Sequence, residues 1–107
     1  MATTNTPAAP DDPVADLCRA LLQPQSLAEM QLLLKDLCTP AELRSLAERW
    51  HVARLLERGD KSYRQIHDET GVSTTTIVRV ARFLNQEPHQ GYRRALDALK
   101  AGASDVS

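Results

Sequence analysis

The sequence predicts an all-α chain of six helices, and three observations carry that expectation. Apolar residues recur at i, i+3 and i+4 along most of its length, and no alternating strand pattern occurs. Ser26–Glu29, Thr39–Glu42 and Ser62–Gln65 each pair a hydroxyl with an acid or amide three residues on, the mark of a capping box at a helix start. Gly59 and Gly71 each fall just past an apolar-periodic run, where a left-handed residue closes a helix.

The first helix opens after Asp11 or Asp12 with Pro13 in its first turn and carries Val14, Leu17, Cys18, Leu21 and Leu22 as its apolar stripe. It should stop near Gln23, because Pro24 has no N–H with which to continue. The second helix starts at the Ser26–Glu29 box. Leu27, Met30, Leu33, Leu34 and Leu37 line one face, widened by Leu32 and Cys38, which is more apolar surface than one neighbour covers. Leu27, Met30, Leu34 and Leu37 are therefore expected at an interface with a second copy of the chain.

The third helix opens with Thr39, Pro40 and Glu42 and ends at Gly59, with Leu43, Leu46, Ala47, Trp50, Ala53 and Leu56 as its stripe. Trp50 reads as core and His51 as a surface residue. Asp60 and Lys61 lead into the stretch around which the chain is organised, a helix-turn-helix over 62–85. Ser62 caps its first helix, which carries Tyr63, Ile66 and Thr70. Gly71 turns the chain, Val72 plugs the turn from behind, and Ser73 caps the next helix. Ile77, Val80, Ala81 and Leu84 form the buried stripe of that helix.

The outward face of the motif holds Arg64, Ser73, Thr74, Thr75, Thr76, Val78, Arg79 and Arg82, with no acid between Thr70 and Gln86. An exposed helix start rich in hydroxyls, followed by arginines one and two turns later, suits the major groove of DNA. Three threonines in a row lower helix propensity, so helix stability did not select them. The same steric skeleton occurs in αα corners that never touch DNA, so a helical dimerisation or protein-interaction module is the competing reading. His67 occupies a position, four before the turn glycine, that is usually small. It must point out of the helix crossing, or the crossing angle must open. After Leu84 the chain breaks around Pro88, and a last helix runs from Tyr92 to Lys100, ending before Gly102.

The chain of 107 residues is one domain at most. The expected organisation is a disordered arm over 1–11, a helical domain over 12–100 and a disordered tail over 101–107. Aromatics make up only 4% of the residues, so Leu, Ala and Val must supply the core, which is thin enough to need another chain. Net charge is −1, but its distribution is uneven: residues 1–42 hold two basic and six acidic side chains, residues 43–100 eleven and seven. The basic excess lies in the half that contains the motif.

No catalytic residues, cofactor or metal site emerge. A glycine-rich phosphate loop and a nucleophile elbow are both missing, the three histidines lie on different elements, and Asp68–Glu69 point to different sides of one helix. Cys18 and Cys38 are expected as buried free thiols. The expectation is a cytoplasmic, nucleoid-associated chain with no membrane segment.

The run TPAELRSLAERWHVARLLERGDKSYRQIHDETGVSTTTIVRVARFL resembles the core of the Trp repressor superfamily, and within it the YerC/YecD group. The shared marks are the TP-x-E opening at Thr39, the R-x4-R-L-L-x-R-G segment ending at Gly59, S-Y-R-x-I, TGVST, and GYR at Gly91–Arg93. The likeness covers about Pro24 to Leu99. It implies a bacterial transcription regulator, an intertwined homodimer of six helices per chain whose paired helix-turn-helix units enter successive major grooves of double-stranded DNA. It also implies that Arg64 stands at the place of a base-reading arginine, and Thr74 and Thr75 at the base-facing start of the recognition helix. In tryptophan-binding members of the family two arginines clamp the indole. Arg49 and Arg79 hold those positions here, a possible effector pocket. The residue after the second arginine is glycine in those members and is Val80 here, so L-tryptophan is not the expected effector. Arg79 is then free for DNA or for a salt bridge, for example with Glu48.

Overall fold

The computed structural model describes residues 12–106, with side chains through Gly102. The arm predicted over 1–11, and Ser107, lie outside these residues. Six α-helices follow in order: α1 Pro13–Leu21, α2 Leu27–Leu37, α3 Pro40–Arg58, α4 Tyr63–Thr70, α5 Thr74–Asn85 and α6 Gly91–Val106.

The helix starts follow from side chains that satisfy the free N–H groups of a first turn. Asp12 accepts from the Ala15 amide at 3.1 Å, and Ser26 from that of Glu29 at 3.1 Å. The Glu29 carboxylate reaches back to the Gln25 amide at 2.9 Å, one residue earlier than a strict capping box requires. Thr39 and Glu42 form the reciprocal pair at 3.1 and 2.8 Å, and Ser62 and Gln65 do so at 3.1 and 2.7 Å. Gly59 and Gly71, with φ of 75° and 77°, close α3 and α4 in the left-handed region. The one start without such a cap is that of α6, where Gln90 takes a positive φ of 59°. At its other end α6 passes the predicted stop at Lys100 and runs through Gly102 to Val106. A single glycine costs a helix only about 1 kcal/mol, which does not suffice to end it.

The chain divides into two units, residues 1–43 and 44–107. The first has no core of its own: neither α1 nor α2 contains a buried residue. Leu27 is 83% exposed and Leu37 is exposed, while Met30 and Leu34 are half-buried. The expected burial of the thiols is not found, since Cys18 is exposed and Cys38 only half-covered.

The second unit holds the core. Val52, Ala53 and Leu55 of α3, Ile66 of α4, Val72 of the turn, and Ile77 and Val80 of α5 form one buried cluster, against which Leu56 and Tyr92 pack. The α3 stripe read from periodicity needs correcting. Ala53 and Leu56 face this core, but Leu46 and Ala47 are exposed and Trp50 is half-buried, its ring centroid 6.3 Å from that of Tyr92. Val52 and Leu55 take the buried places instead, because α3 carries apolar residues on two faces and only one meets α4 and α5. His51 is exposed, as expected.

Ion pairs tie α6 to α3. Glu57 accepts from Arg93 through one carboxylate oxygen and from Lys100 at 3.0 Å through the other, and Asp97 lies 3.9 Å from Arg93. The hydrogen bond from Arg93, then that from Lys100, hold the Glu57 carboxyl below the ordinary glutamate range. A carboxyl with a lowered folded pKa contributes stability above its unfolded pKa and loses it as the pH falls through the folded value. The melting temperature of the wild type should therefore exceed that of Glu57→Gln at neutral pH, and the two should converge in acid. A difference that stays constant in acid would count against this clamp.

Candidate nucleic-acid interface

The geometry of α4, its turn and α5 begins with the hydrogen bonds of residues 66–73. The Gly71 amide donates to the His67 carbonyl at 2.9 Å. The Thr70 hydroxyl donates to the Ile66 carbonyl at 2.7 Å, and its oxygen accepts from the Val72 amide at 3.1 Å. His67 is exposed and lies outside the helix crossing, so the first of its two expected accommodations holds. Its Nδ1 lies 2.8 Å from the Val72 carbonyl, an arrangement that requires the proton on Nδ1. A bulky residue thus staples the turn from the outside, while Val72 plugs it from within at 4% exposure.

Ser73 starts α5. Its oxygen accepts from the Thr76 amide at 3.1 Å, and its hydroxyl donates to the Thr76 side chain at 3.0 Å. These two members of the expected DNA surface are therefore engaged with each other in capping. Thr74 and Thr75 are exposed in the first turn, with no other side chain bonded to them among the described residues. Val78, Arg79 and Arg82 are exposed further along the same outer side, and Arg64 is exposed near the start of α4. The opposite side of α5, formed by Ile77, Val80, Ala81 and Leu84, is buried as the periodicity predicts.

Both arginines of α5 have partners among the described residues that the reading of the sequence did not name. The Arg79 guanidinium lies 4.4 Å from the centroid of the Phe83 ring, a cation–π contact one turn along its own helix. It forms no salt bridge with Glu48 among the described residues. The i, i+4 spacing of Arg79 and Phe83 was the available signal. Phe83 in turn stacks against His89, with centroids 6.0 Å apart. Arg82 donates through Nε to Glu87 at 2.8 Å. Glu87 follows the end of α5, so no helical spacing pointed to it.

Arg49 is half-buried and has no ion pair among the described residues. Val80, the neighbour of Arg79 in the expected effector pocket, is 1% exposed and packed within the core cluster. Among the described residues no group of three or more His, Cys, Asp and Glu side chains could hold a metal ion. None of the described helices is long and apolar enough to cross a membrane.

Comparison with known proteins matches residues 13–100 to the family model of the Trp repressor protein. YerC of Bacillus subtilis (strain 168), itself described as uncharacterized, is 42% identical over 91 residues, which are 85% of this chain and 86% of that protein. The crystal structure of a TrpR-like protein from Eubacterium eligens ATCC 27750 superposes with a TM-score of 0.75 at 39% identity, covering 82% of this chain and 89% of the other. Six-helix architecture, family match and relatives agree: the chain belongs to the Trp repressor family, alongside YerC.

Proposed function

We propose that the chain is a sequence-specific transcription regulator that binds duplex DNA as a homodimer through α4 and α5. The observation that carries this reading is the division of α5 into two sides. One is locked into the core, and the other presents Thr74, Thr75, Arg79 and Arg82 to solvent with no acid on the helix. Phosphate contacts from the arginines supply most of the affinity. Thr74, Thr75 and Arg64 supply base discrimination at the groove floor. The Arg82–Glu87 pair does not withdraw Arg82 from this role. It uses only Nε, leaving the two terminal nitrogens for a phosphate. An exposed pair of this kind contributes at most about 1 kcal/mol.

The dimer brings two such units together, with recognition helices about 34 Å apart, one turn of B-DNA. Duplexes retained by the protein from a random-sequence pool should then share a two-fold symmetric site whose half-sites repeat at that spacing. Retention without any common sequence would leave only non-specific binding and overturn the reading.

Free L-tryptophan is not the effector in this reading. Arg49 and Arg79 are both present, but Arg79 stacks on Phe83 and Val80 fills the space beside it as part of the core. A β-branched side chain with stiff χ1 cannot swing aside for an indole ring. Titration calorimetry with L-tryptophan should give no binding heat at millimolar ligand and no change in DNA affinity. Saturable binding in the micromolar range would contradict the role given to Val80.

A further inference from the structure

We propose that Val78 reads the 5-methyl group of a thymine in each half-site and is thus a specificity-determining residue of this protein. The proposal rests on the DNA-binding reading given above. Val78 is 54% exposed, while Ile77, Val80, Ala81 and Leu84 of the same helix are buried and Phe83 is half-buried. It is therefore the one exposed apolar side chain on α5. Neither the core nor the helix asks for it: it lies outside the buried cluster, and valine is a poorer helix former than alanine.

Its position gives it a use. Thr74 and Thr75 precede it by four and three residues and Arg82 follows by four, so all of them share its surface. Side chains on a helix lean toward its N-terminus, which carries the Val78 methyls over the first turn, between the hydroxyls expected at the bases and the arginine expected at the backbone. A branched apolar group at that place in a major groove has one apolar counterpart among the base edges, the thymine methyl. The threonine hydroxyls beside it would supply hydrogen bonds, and Val78 the discrimination of thymine from cytosine and uracil that those bonds do not make.

The test uses the full chain and a duplex selected by it from a random pool. Each thymine of one half-site, and its symmetry mate, is replaced in turn by deoxyuridine, which removes only the methyl. At one position the wild type should lose about fourfold in affinity per half-site, the worth of one methyl withdrawn from an apolar contact. Val78→Ala, which keeps or improves the helix, should bind the parent duplex about tenfold more weakly per half-site and lose all sensitivity to that deoxyuridine. Circular dichroism and melting confirm that the variant is folded. If the wild type binds its selected duplex steeply with salt yet every deoxyuridine duplex binds like its parent, the assignment of Val78 is overturned while DNA binding stands. A Val78→Ala variant that remains as sensitive as the wild type overturns the assignment in the same way. If no duplex is selected at all, the DNA-binding reading fails and takes this one with it.

Discussion

The melting temperature of this protein should rise with its concentration, because folding and dimerisation are expected to be one step. Neither α1 nor α2 buries a residue within one chain, and Leu27 is left 83% exposed. Fully burying a side chain such as Leu or Met contributes roughly 1.5–3 kcal/mol. Leu37 is 49% exposed and Met30 and Leu34 are already half-buried, so covering these three and Leu27 is worth roughly 3–6 kcal/mol per protomer, a large share of the stability of a typical domain. Placing carboxylates on that face with Leu27→Glu and Leu34→Glu should prevent association and, with it, most of the helicity of α1 and α2. Circular dichroism and sedimentation read the two effects together. A compact monomer whose melting temperature ignores concentration would refute the expectation.

The second large effect is on DNA. Exchanging Arg64, Thr75 and Arg82 together for alanine should lower affinity for a selected duplex by a hundredfold or more while leaving the melting temperature nearly unchanged. All three are exposed and outside the core, so stability has little to lose. Arg64→Ala alone should cost roughly 1–3 kcal/mol at the specific site if it is bidentate to a guanine, and little elsewhere. Arg82→Ala should weaken every sequence alike and flatten the salt dependence by about one phosphate contact per protomer. Unchanged affinity in the triple variant would remove these residues from the interface.

Much of this was legible in the sequence because helix ends announce themselves. Asp12, Ser26, Thr39, Ser62 and Ser73 all precede helices they cap or begin, and Gly59 and Gly71 follow helices they end. The buried stripe of α5 was legible for a related reason: Ile77, Val80, Ala81 and Leu84 are its only run at core spacing. Periodicity fails where a helix has two apolar faces. It groups Leu46, Ala47 and Trp50 of α3 on one side without saying that Val52 and Leu55 meet the core instead. It also cannot say what covers a face, so Cys18 read as buried and is exposed within the single chain. At the candidate interface, sequence identified the outward residues, except Thr76, which is half-buried, but not their partners. Arg79 on Phe83 and Arg82 on Glu87 depend on side-chain directions at the end of α5, and His67 on the way a bulky ring clears the turn.

The proposed function has α4 and α5 meet the phosphates and bases of duplex DNA. Its most direct test is the affinity for a selected duplex as a function of salt. With Arg79 and Arg82 of both protomers on phosphates, the slope of log affinity against log salt should be about −3.6, or roughly a hundredfold loss between about 50 and 200 mM. A protein-interaction module whose contacts are leucines would instead show an affinity for DNA that is negligible at every salt concentration, and that result would contradict the account.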